Sequence, residues 1–250
     1  MDTFPKELWM KFREALGLKE IPLGVYYSNV KPEGITPKEG IQGCIIGFLQ
    51  YSRKRGETVY FDKDHFGCPG GAYYMGFREI PRPKIEYFLS CGIPGEMEGE
   101  RYIKTPELAR EYFQKMKPRP APANFCIFKP IEKFNLNEKP EVVIFFVSPD
   151  ILSGLFTITN YALEKTDAVL SPFGSGCSTI LTYPLKYAQS EPHAFLGMFD
   201  VSARPMVEND ILTFSMSYSI FTKLLENVSG SFLETESWKK VLHRIKDKIQ

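Results

Sequence analysis

The sequence has little histidine, little cysteine and almost no net charge. Its 250 residues include three His and five Cys, and 31 Lys and Arg against 30 Asp and Glu give a formal net charge of +1. A charge this close to zero creates no global field for a polyanion, so we expect no nucleic-acid partner. A sparse, odd number of cysteines argues against a secreted disulfide scaffold and favours free thiols or thiolate ligands in a reducing compartment.

Long hydrophobic runs are also missing. The most apolar stretch, Val142 to Val147, has the length of a strand and is far shorter than the ~18–20 apolar residues that cross a bilayer. The N-terminal segment mixes charges of both signs with its apolar residues and lacks the unbroken apolar core of a targeting signal. We therefore expect a cytoplasmic protein with no membrane association.

The sequence does contain enough apolar material for a sizeable core, because 43% of its residues are hydrophobic and 14% are aromatic. Helix-like and strand-like segments alternate, which predicts an α/β (or α+β) fold. Amphipathic helices are expected at both ends, over 1–17 and 234–250. One face of the C-terminal helix would carry Trp238, Val241, Leu242, Ile245 and Ile249.

Between the terminal helices, hydrophobic periodicity and turn residues predict the remaining elements. Strands are expected over 21–28, 58–61, 125–128, 141–147, 168–170, 193–199 and 211–216. Helices are expected over 44–55, 105–116, 149–165 and 177–189. The proline-rich segment 117–124 is predicted to be a stiff linker.

Two segments share one order of elements: strand, loop, Gly-Cys, helix, strand. One surrounds Cys44 and the other surrounds Cys177, and by count Asp200 lies near the place in the second that Cys68 has in the first. We interpret the chain as a single domain, 1–250, of two pseudo-repeated halves at approximately 18–117 and 124–220. Such halves would bring their Gly-Cys loops together across a pseudo-twofold axis, although the similarity is one of arrangement and coincidence stays open.

Three of the five cysteines, Cys44, Cys68 and Cys177, directly follow a glycine. Two of them are predicted to lie where a loop passes into a helix, and the unpaired amides and positive dipole end of a helix stabilise a thiolate. Thiolates are the ligands that soft metals and iron–sulfur clusters require, and a neighbouring glycine lets backbone amides approach a cluster sulfur. These three thiols are the candidate metal ligands.

The other two cysteines are less informative. Cys126 lies within an apolar strand and is predicted to be core, whereas Cys91 lies in a loop and stays undecided. No C-x-x-C pair is present, which disfavours a zinc ribbon or a dithiol enzyme. Zinc, with His65 or His193 as a further ligand, stays open as the less favoured metal.

Two readings without a metal also stay open. In the first, glycine loops hold an anionic small molecule, although no Walker lysine and no full G-x-G-x-x-G motif is present. Its candidate ligand-binding residues are Gly70, Gly71, Gly174, Ser175, Gly176 and Arg204. In the second, the protein is a thiol-dependent enzyme, with His65 near Cys68 as the local base; no Ser-His-Asp order and no H-E-x-x-H motif is found.

The loops Gly43-Cys44, Cys68-Pro69-Gly70-Gly71-Ala72 with Gly76-Phe77, and Gly174-Ser175-Gly176-Cys177 with Tyr183-Pro184 form a recognisable pattern. From the first strand to the strand near Met216, the chain resembles the archaeal and bacterial family called domain of unknown function 169. The family has no settled activity. The resemblance implies a cysteine-bearing cytoplasmic protein, of a kind often found in anaerobic prokaryotes, and singles out Cys44, Cys68 and Cys177.

Some members of that family have a further cysteine where this chain has Phe199-Asp200. The fourth ligand is therefore open between Asp200, Cys91, water and a substrate. The leading hypothesis is an iron–sulfur cluster held by three thiolates, with one iron site left open for a small ligand or for redox use. A small molecule or a redox partner is the expected partner. The sequence leaves the oligomeric state open, with a homo-oligomer as one possibility.

Overall fold

The computed structural model describes residues 4–247 except 39, 41, 42, 136, 165 and 189–192. Within them, nine α-helices flank one mixed sheet of seven strands, so the predicted α/β class is confirmed. The helices are α1 Lys6–Leu16, α2 Ile45–Arg55, α3 Pro69–Tyr74, α4 Ile85–Phe88, α5 Pro106–Lys115, α6 Pro149–Asn160, α7 Tyr183–Tyr187, α8 Tyr218–Glu226 and α9 Glu236–Asp247. The strands are β1 Leu23–Ser28, β2 Val59–Phe61, β3 Phe125–Pro130, β4 Val142–Val147, β5 Val169–Leu170, β6 Ala194–Gly197 and β7 Leu212–Ser217.

The strands follow the order β2-β3-β1-β4-β7-β6-β5, and every neighbouring pair is antiparallel except β5 and β6. Both predicted halves contribute to this single sheet. In the segment around Cys177 the flanking strands β5 and β6 pair directly, whereas in the segment around Cys44 the flanking strands β1 and β2 are separated by β3. The two Gly-Cys segments thus differ in their strand pairing, and the pseudo-repeat stays a prediction.

Strand β4 shows how the sheet separates two cores. Successive side chains of a strand point to opposite faces. Val142, Ile144 and Phe146 accordingly pack in one hydrophobic cluster, and Val143, Phe145 and Val147 pack in another. All six are buried, which explains why this segment is an unbroken apolar run in the sequence.

The two faces of the sheet carry different helices. On the face of Val142, here called the cysteine face, α2 and α3 pack with Cys177 and the residues that follow it. On the face of Val143, here called the terminal-helix face, α1, α6, α8 and α9 pack together. The predicted terminal helices thus lie across the sheet from the three Gly-Cys loops.

Several predicted boundaries are confirmed. Helix α1 ends at Gly17, which has a left-handed φ of 73°. Helix α5 begins as predicted, since Thr105 Oγ1 accepts a hydrogen bond from the Leu108 amide and Pro106 fills the first turn. Predictions that fall on residues 1–3, 165, 189 and 248–250 lie outside the described residues.

Other predicted boundaries were wrong. Helix α6 ends at Asn160, earlier than expected. Strand β6 stops at Gly197 because Met198 has a φ of 71°, which an extended strand cannot accommodate. The segment after Cys68 forms helix α3, which is not among the predicted helices.

No helix in the described part of the chain is both long enough and apolar enough to cross a membrane.

Candidate functional site

Cys44 lies immediately before α2, in an extended conformation that ends the preceding loop. Burial raises the pKa of its thiol, while the nearby amides of Gly47 and Ile46 lower it. The charges of Cys68 and Asp200 raise this pKa further. The thiol therefore faces the amide end of an eleven-residue helix and lies close to two other acidic groups.

Cys68 occupies the same position relative to α3. Its Sγ accepts a hydrogen bond from the Gly71 amide at 3.2 Å, and Pro69 fills the first helical position. The Cys68 loop lies directly against the Cys44 loop, since the Gly43 amide donates to the Gly67 carbonyl at 3.4 Å. Gly67 has a φ of 71°, and a Cβ added there would lie 2.6 Å from the Gly43 carbonyl oxygen, so this approach requires glycine.

Cys177 is the most buried of the three, with 7% of its surface exposed. Burial raises its pKa well above the ordinary value, and the charges of Cys68, Cys44 and Asp200 add to the effect. The residues that follow, Ser178–Thr182, form a π-helix, a rare conformation that is frequently found at functional sites. Three thiols from loops far apart in sequence therefore lie within one another's electrostatic influence.

Asp200 joins these loops through its carboxylate. Its Oδ2 accepts a hydrogen bond from the Gly176 amide at 3.0 Å, and its Oδ1 accepts from the amide and hydroxyl of Ser202 at 3.0 and 2.7 Å. The carboxylate thus fixes the residue before Cys177 while its charge reaches both Cys44 and Cys177. Asp200 thus lies within the electrostatic influence of Cys44 and Cys177, and its role as a metal ligand stays a prediction.

The predicted ligand-binding glycines have different surroundings. A Cβ added at Gly70 would meet nothing within 4 Å, whereas one at Gly71 would collide with Ile45 of α2. A Cβ at Gly174 would lie 2.9 Å from Tyr112 Oη, and one at Gly176 would lie 3.3 Å from the Ala203 Cβ. Three of the four glycines therefore permit the close packing of the elements that carry the cysteines.

The other two predicted ligand-binding residues make local contacts. Ser175 accepts a hydrogen bond from the Ser178 amide through its Oγ at 3.1 Å, at the start of the π-helix. The guanidinium of Arg204 donates to the carbonyls of Ile211 and Asn209 at 2.6 and 2.5 Å. These bonds show Arg204 holding the loop before β7, and its anion-binding role stays a prediction.

The remaining cysteines and the two candidate histidines each have their own local contacts. Cys126 is fully buried in β3, which confirms the core prediction, and burial raises its pKa despite a hydrogen bond to Tyr27. Cys91 is exposed on a separate loop. His65 Nδ1 lies 3.0 Å from the Asp62 carboxylate, and His193 packs against the rings of Tyr187 and Phe195.

Tyrosines around the cysteine loops were not predicted. The hydroxyls of Tyr74 and Tyr112 are 3.4 Å apart. Burial raises the pKa of Tyr74 well above its ordinary value, with further contributions from Tyr112 and Cys177 and an opposing hydrogen bond to Ser175. Tyr112 lies on α5, and the sequence pattern of that helix does not distinguish a site residue from a core residue.

The described residues contain no group of three or more His, Cys, Asp or Glu arranged to hold one metal ion. A single zinc ion would need donors that converge to ~2.0–2.3 Å from one point. An iron–sulfur cluster distributes its cysteine ligands over several iron atoms, so its thiolates lie further apart. An iron–sulfur centre at these three thiols stays a prediction.

Fold and site together define an α/β protein in which three glycine-flanked cysteines converge on one face of a mixed sheet. The model of the family domain of unknown function 169, described as Uncharacterised ArCR, matches residues 11–227. The chain belongs to this family, so the resemblance inferred from the sequence is confirmed. Neither the search of curated proteins nor the search of solved structures finds a match.

Proposed function

We propose that this protein binds an iron–sulfur cluster, or another soft metal centre, through the thiolates of Cys44, Cys68 and Cys177. The observation that carries the proposal is their convergence: the charges of Cys68 and Asp200 act on Cys44, and those of all three partners act on Cys177. Three neighbouring thiolates repel one another, and burial disfavours the charged forms of Cys177 and Cys44 further, so the thiolate state needs a cation that compensates its charge. A cluster supplies that positive charge and satisfies the sulfur atoms as ligands.

The backbone around the thiols suits such a centre. The Gly71 amide donates a hydrogen bond to the Cys68 sulfur, and the amides of Ile46 and Gly47 lower the pKa of Cys44. Hydrogen bonds of this kind to cysteine sulfur stabilise a thiolate and tune the potential of a bound cluster. When bound, the cluster would supply electron transfer or a Lewis-acidic iron.

The fourth coordination position is proposed for Asp200 or for an exogenous ligand. Asp200 already acts electrostatically on Cys44 and Cys177, whereas Cys91 lies on a loop of its own. Both Asp200 oxygens also accept hydrogen bonds. A small ligand that binds iron would therefore compete with the Asp200 carboxylate, which already accepts hydrogen bonds from Gly176 and Ser202. A redox partner would approach from the same side of the site.

Anaerobic reconstitution with iron and sulfide tests the proposal. The wild-type protein is expected to acquire iron, sulfide and visible thiolate-to-iron absorbance, and Cys44→Ser, Cys68→Ser and Cys177→Ser are each expected to lose most of them. Cys126→Ala is the matched control because it removes a buried thiol from the same core cluster. Wild-type protein that stays colourless and iron-free, or serine variants that load as well as Cys126→Ala, would contradict the proposal.

A thiol-dependent enzyme is the second candidate, and the Asp62–His65 hydrogen bond favours it. A carboxylate on Nδ1 orients an imidazole as a base, and His65 is three residues from Cys68. In this case His65→Gln should slow the alkylation of Cys68 at neutral pH. Unchanged alkylation in His65→Gln would remove this candidate.

A further inference from the structure

A groove of about 630 Å³ opens beside the cysteine site, between the end of α4 and the start of α5. It is lined by Ser90, Cys91, Arg101, Tyr102, Ile103 and Lys104. This volume lies within the range of small-molecule sites, which is ~300–1,000 Å³. None of the lining residues belongs to the three Gly-Cys loops.

The groove is preformed by backbone hydrogen bonds. The Arg101 amide donates to the Ser90 carbonyl at 3.1 Å, and the Ile103 amide donates to the Leu89 carbonyl at 3.0 Å. These hydrogen bonds join the segment at 89–90 to the segment at 101–103 along the groove. A ligand would find the groove open without a rearrangement of the backbone.

Two exposed cations, Arg101 and Lys104, line the groove. Within the described ranges, neither forms an ion pair or a side-chain hydrogen bond. Of the nearby carboxyl groups, Glu96 pairs with Lys84 at 2.5 Å, and Glu100 accepts a hydrogen bond at 2.8 Å from Tyr102, which lines the groove. The groove thus presents two positive charges beside an apolar surface formed by Ile103 and the Tyr102 ring.

Arg101 is also held in a strained conformation. Its φ is 58°, one of only three positive values among the non-glycine residues that the structure describes. Strained residues of this kind cluster at binding and catalytic sites, because surrounding interactions must enforce the conformation. Here the bond from the Arg101 amide to Ser90 contributes to that enforcement.

We propose that this groove binds a small phosphomonoester, with Arg101 and Lys104 holding the phosphate and the apolar wall holding its organic part. A phosphomonoester carries about two negative charges at neutral pH and so matches the two cations. The Arg101 guanidinium offers two parallel N–H donors to phosphate oxygens, and Lys104 adds a point charge. This site goes beyond the proposed metal centre and does not depend on it.

One side chain of the groove lies near the cysteine site. Tyr102 lies within the electrostatic influence of Asp200. Asp200 in turn accepts a hydrogen bond from the Gly176 amide, next to Cys177. A ligand bound against Tyr102 would therefore lie within the electrostatic influence of the carboxylate that holds Gly176.

Calorimetry on the full chain, purified without iron, tests the groove with phenyl phosphate as the probe. Wild-type protein is expected to bind phenyl phosphate, and Arg101→Gln and Lys104→Gln are each expected to weaken binding about tenfold, the effect of one lost charge-assisted hydrogen bond. Lys240→Gln, an exposed charge on α9, is the matched control and should bind like the wild type. Phenol and benzoate serve as ligand controls and should bind more weakly than phenyl phosphate.

Cys91 provides a second readout inside the groove. Because this thiol is exposed and lines the groove, bound phenyl phosphate should slow its alkylation by iodoacetamide without slowing that of Cys44. The proposal is overturned if the wild type does not bind phenyl phosphate at millimolar concentration. It is equally overturned if Arg101→Gln and Lys104→Gln both bind like Lys240→Gln, if benzoate binds as tightly, or if Cys91 stays unprotected.

Discussion

A buried arginine on α2 anchors one edge of the cysteine face. The Arg53 side chain is only 2% exposed, stacks on the Phe146 ring at 5.4 Å and pairs with the carboxylates of Glu20 and Glu208. Lys54 also contacts Glu208, at 2.7 Å. This residue-scale network joins α2 to the loop before β1 and to the loop before β7.

The Glu208 carboxylate makes the stability of this network depend on pH. Burial disfavours its ionised form, but hydrogen bonds from Lys54 and Arg53 outweigh that effect and lower its pKa to about 2. A carboxyl group with a depressed pKa in the folded state stabilises the protein above the pKa of the unfolded chain, and the contribution is lost as pH falls toward 2. Glu208→Gln should therefore flatten the decrease in stability between pH 4.5 and 2.

Urea unfolding midpoints at several pH values between 6 and 2.5 measure this difference. The gap between wild type and Glu208→Gln should be largest at pH 6 and should shrink toward the acid end. Its size at pH 6 should be modest, because the Glu208 side chain is 42% exposed and solvent screens the pair. Glu33→Gln, which removes an exposed carboxyl group from another loop, is the control, and an equal gap at every pH would contradict the expectation.

At the scale of elements, the close contact between α2 and α3 sets the distance between Cys44 and Cys68, which precede these helices. Gly71 of α3 packs against Ile45 of α2, where no side chain fits, while the adjacent Gly70 faces open space. Gly71→Ala should therefore lower the free energy of unfolding by about 1–3 kcal/mol through overpacking. Gly70→Ala should be neutral or stabilising by up to about 1 kcal/mol, since alanine favours a helix over glycine.

Denaturant unfolding of the two alanine variants compares adjacent positions in one helix. Equal effects of Gly70→Ala and Gly71→Ala would show that α3 moves freely against α2. A larger loss at Gly71 supports the view that this glycine serves packing, whereas Gly70 stays available for a ligand.

The elements themselves were largely predictable, because local patterns specify them. Thr105-Pro106 began α5 and Gly17 ended α1 as expected, and the apolar run in β4 became a central strand. Helix α3 was missed because two glycines have low helix propensity, and its formation depends on the Cys68 Sγ bond and on packing against Ile45. The π-helix after Cys177 has no sequence signature of this kind.

The site was predictable only in part. The Gly-Cys pattern identified Cys44, Cys68 and Cys177, and the position by count identified Asp200, which the structure places in their field. Tyr74, Tyr102 and Tyr112 were missed because their proximity arises from tertiary contacts between distant segments. The groove at Arg101 was missed for the same reason, since a left-handed arginine has no pattern in the sequence.

At the scale of the whole molecule, the sheet separates the terminal-helix face, whose packing contributes to overall stability, from the cysteine face. Trp238 of α9 is 4% exposed on the terminal-helix face, and its Nε1 donates to the Ala15 carbonyl at 2.8 Å. Trp238→Ala should lower the free energy of unfolding by about 3–5 kcal/mol. Trp238→Phe keeps most of the packing and loses the hydrogen bond, so about 1 kcal/mol should be lost.

The separation is tested by measuring the alkylation rates of Cys44 and Cys68 in folded, metal-free Trp238→Phe. These rates should equal those of the wild type, because the substitution lies across the sheet from both thiols. Faster alkylation at either thiol, with the protein still folded, would show that the two faces are coupled.

The distance along the chain between the converging loops has a consequence for biosynthesis. Cys44 precedes Cys177 by 133 residues, and translation at about 5–20 residues per second puts roughly ten seconds between them. For most of that interval Cys44 and Cys68 are already made, while the Cys177 loop and the strands β6 and β7 are not. The two early thiols of each nascent chain therefore depend on reducing surroundings, and the three-thiol arrangement belongs only to a chain translated past Asp200.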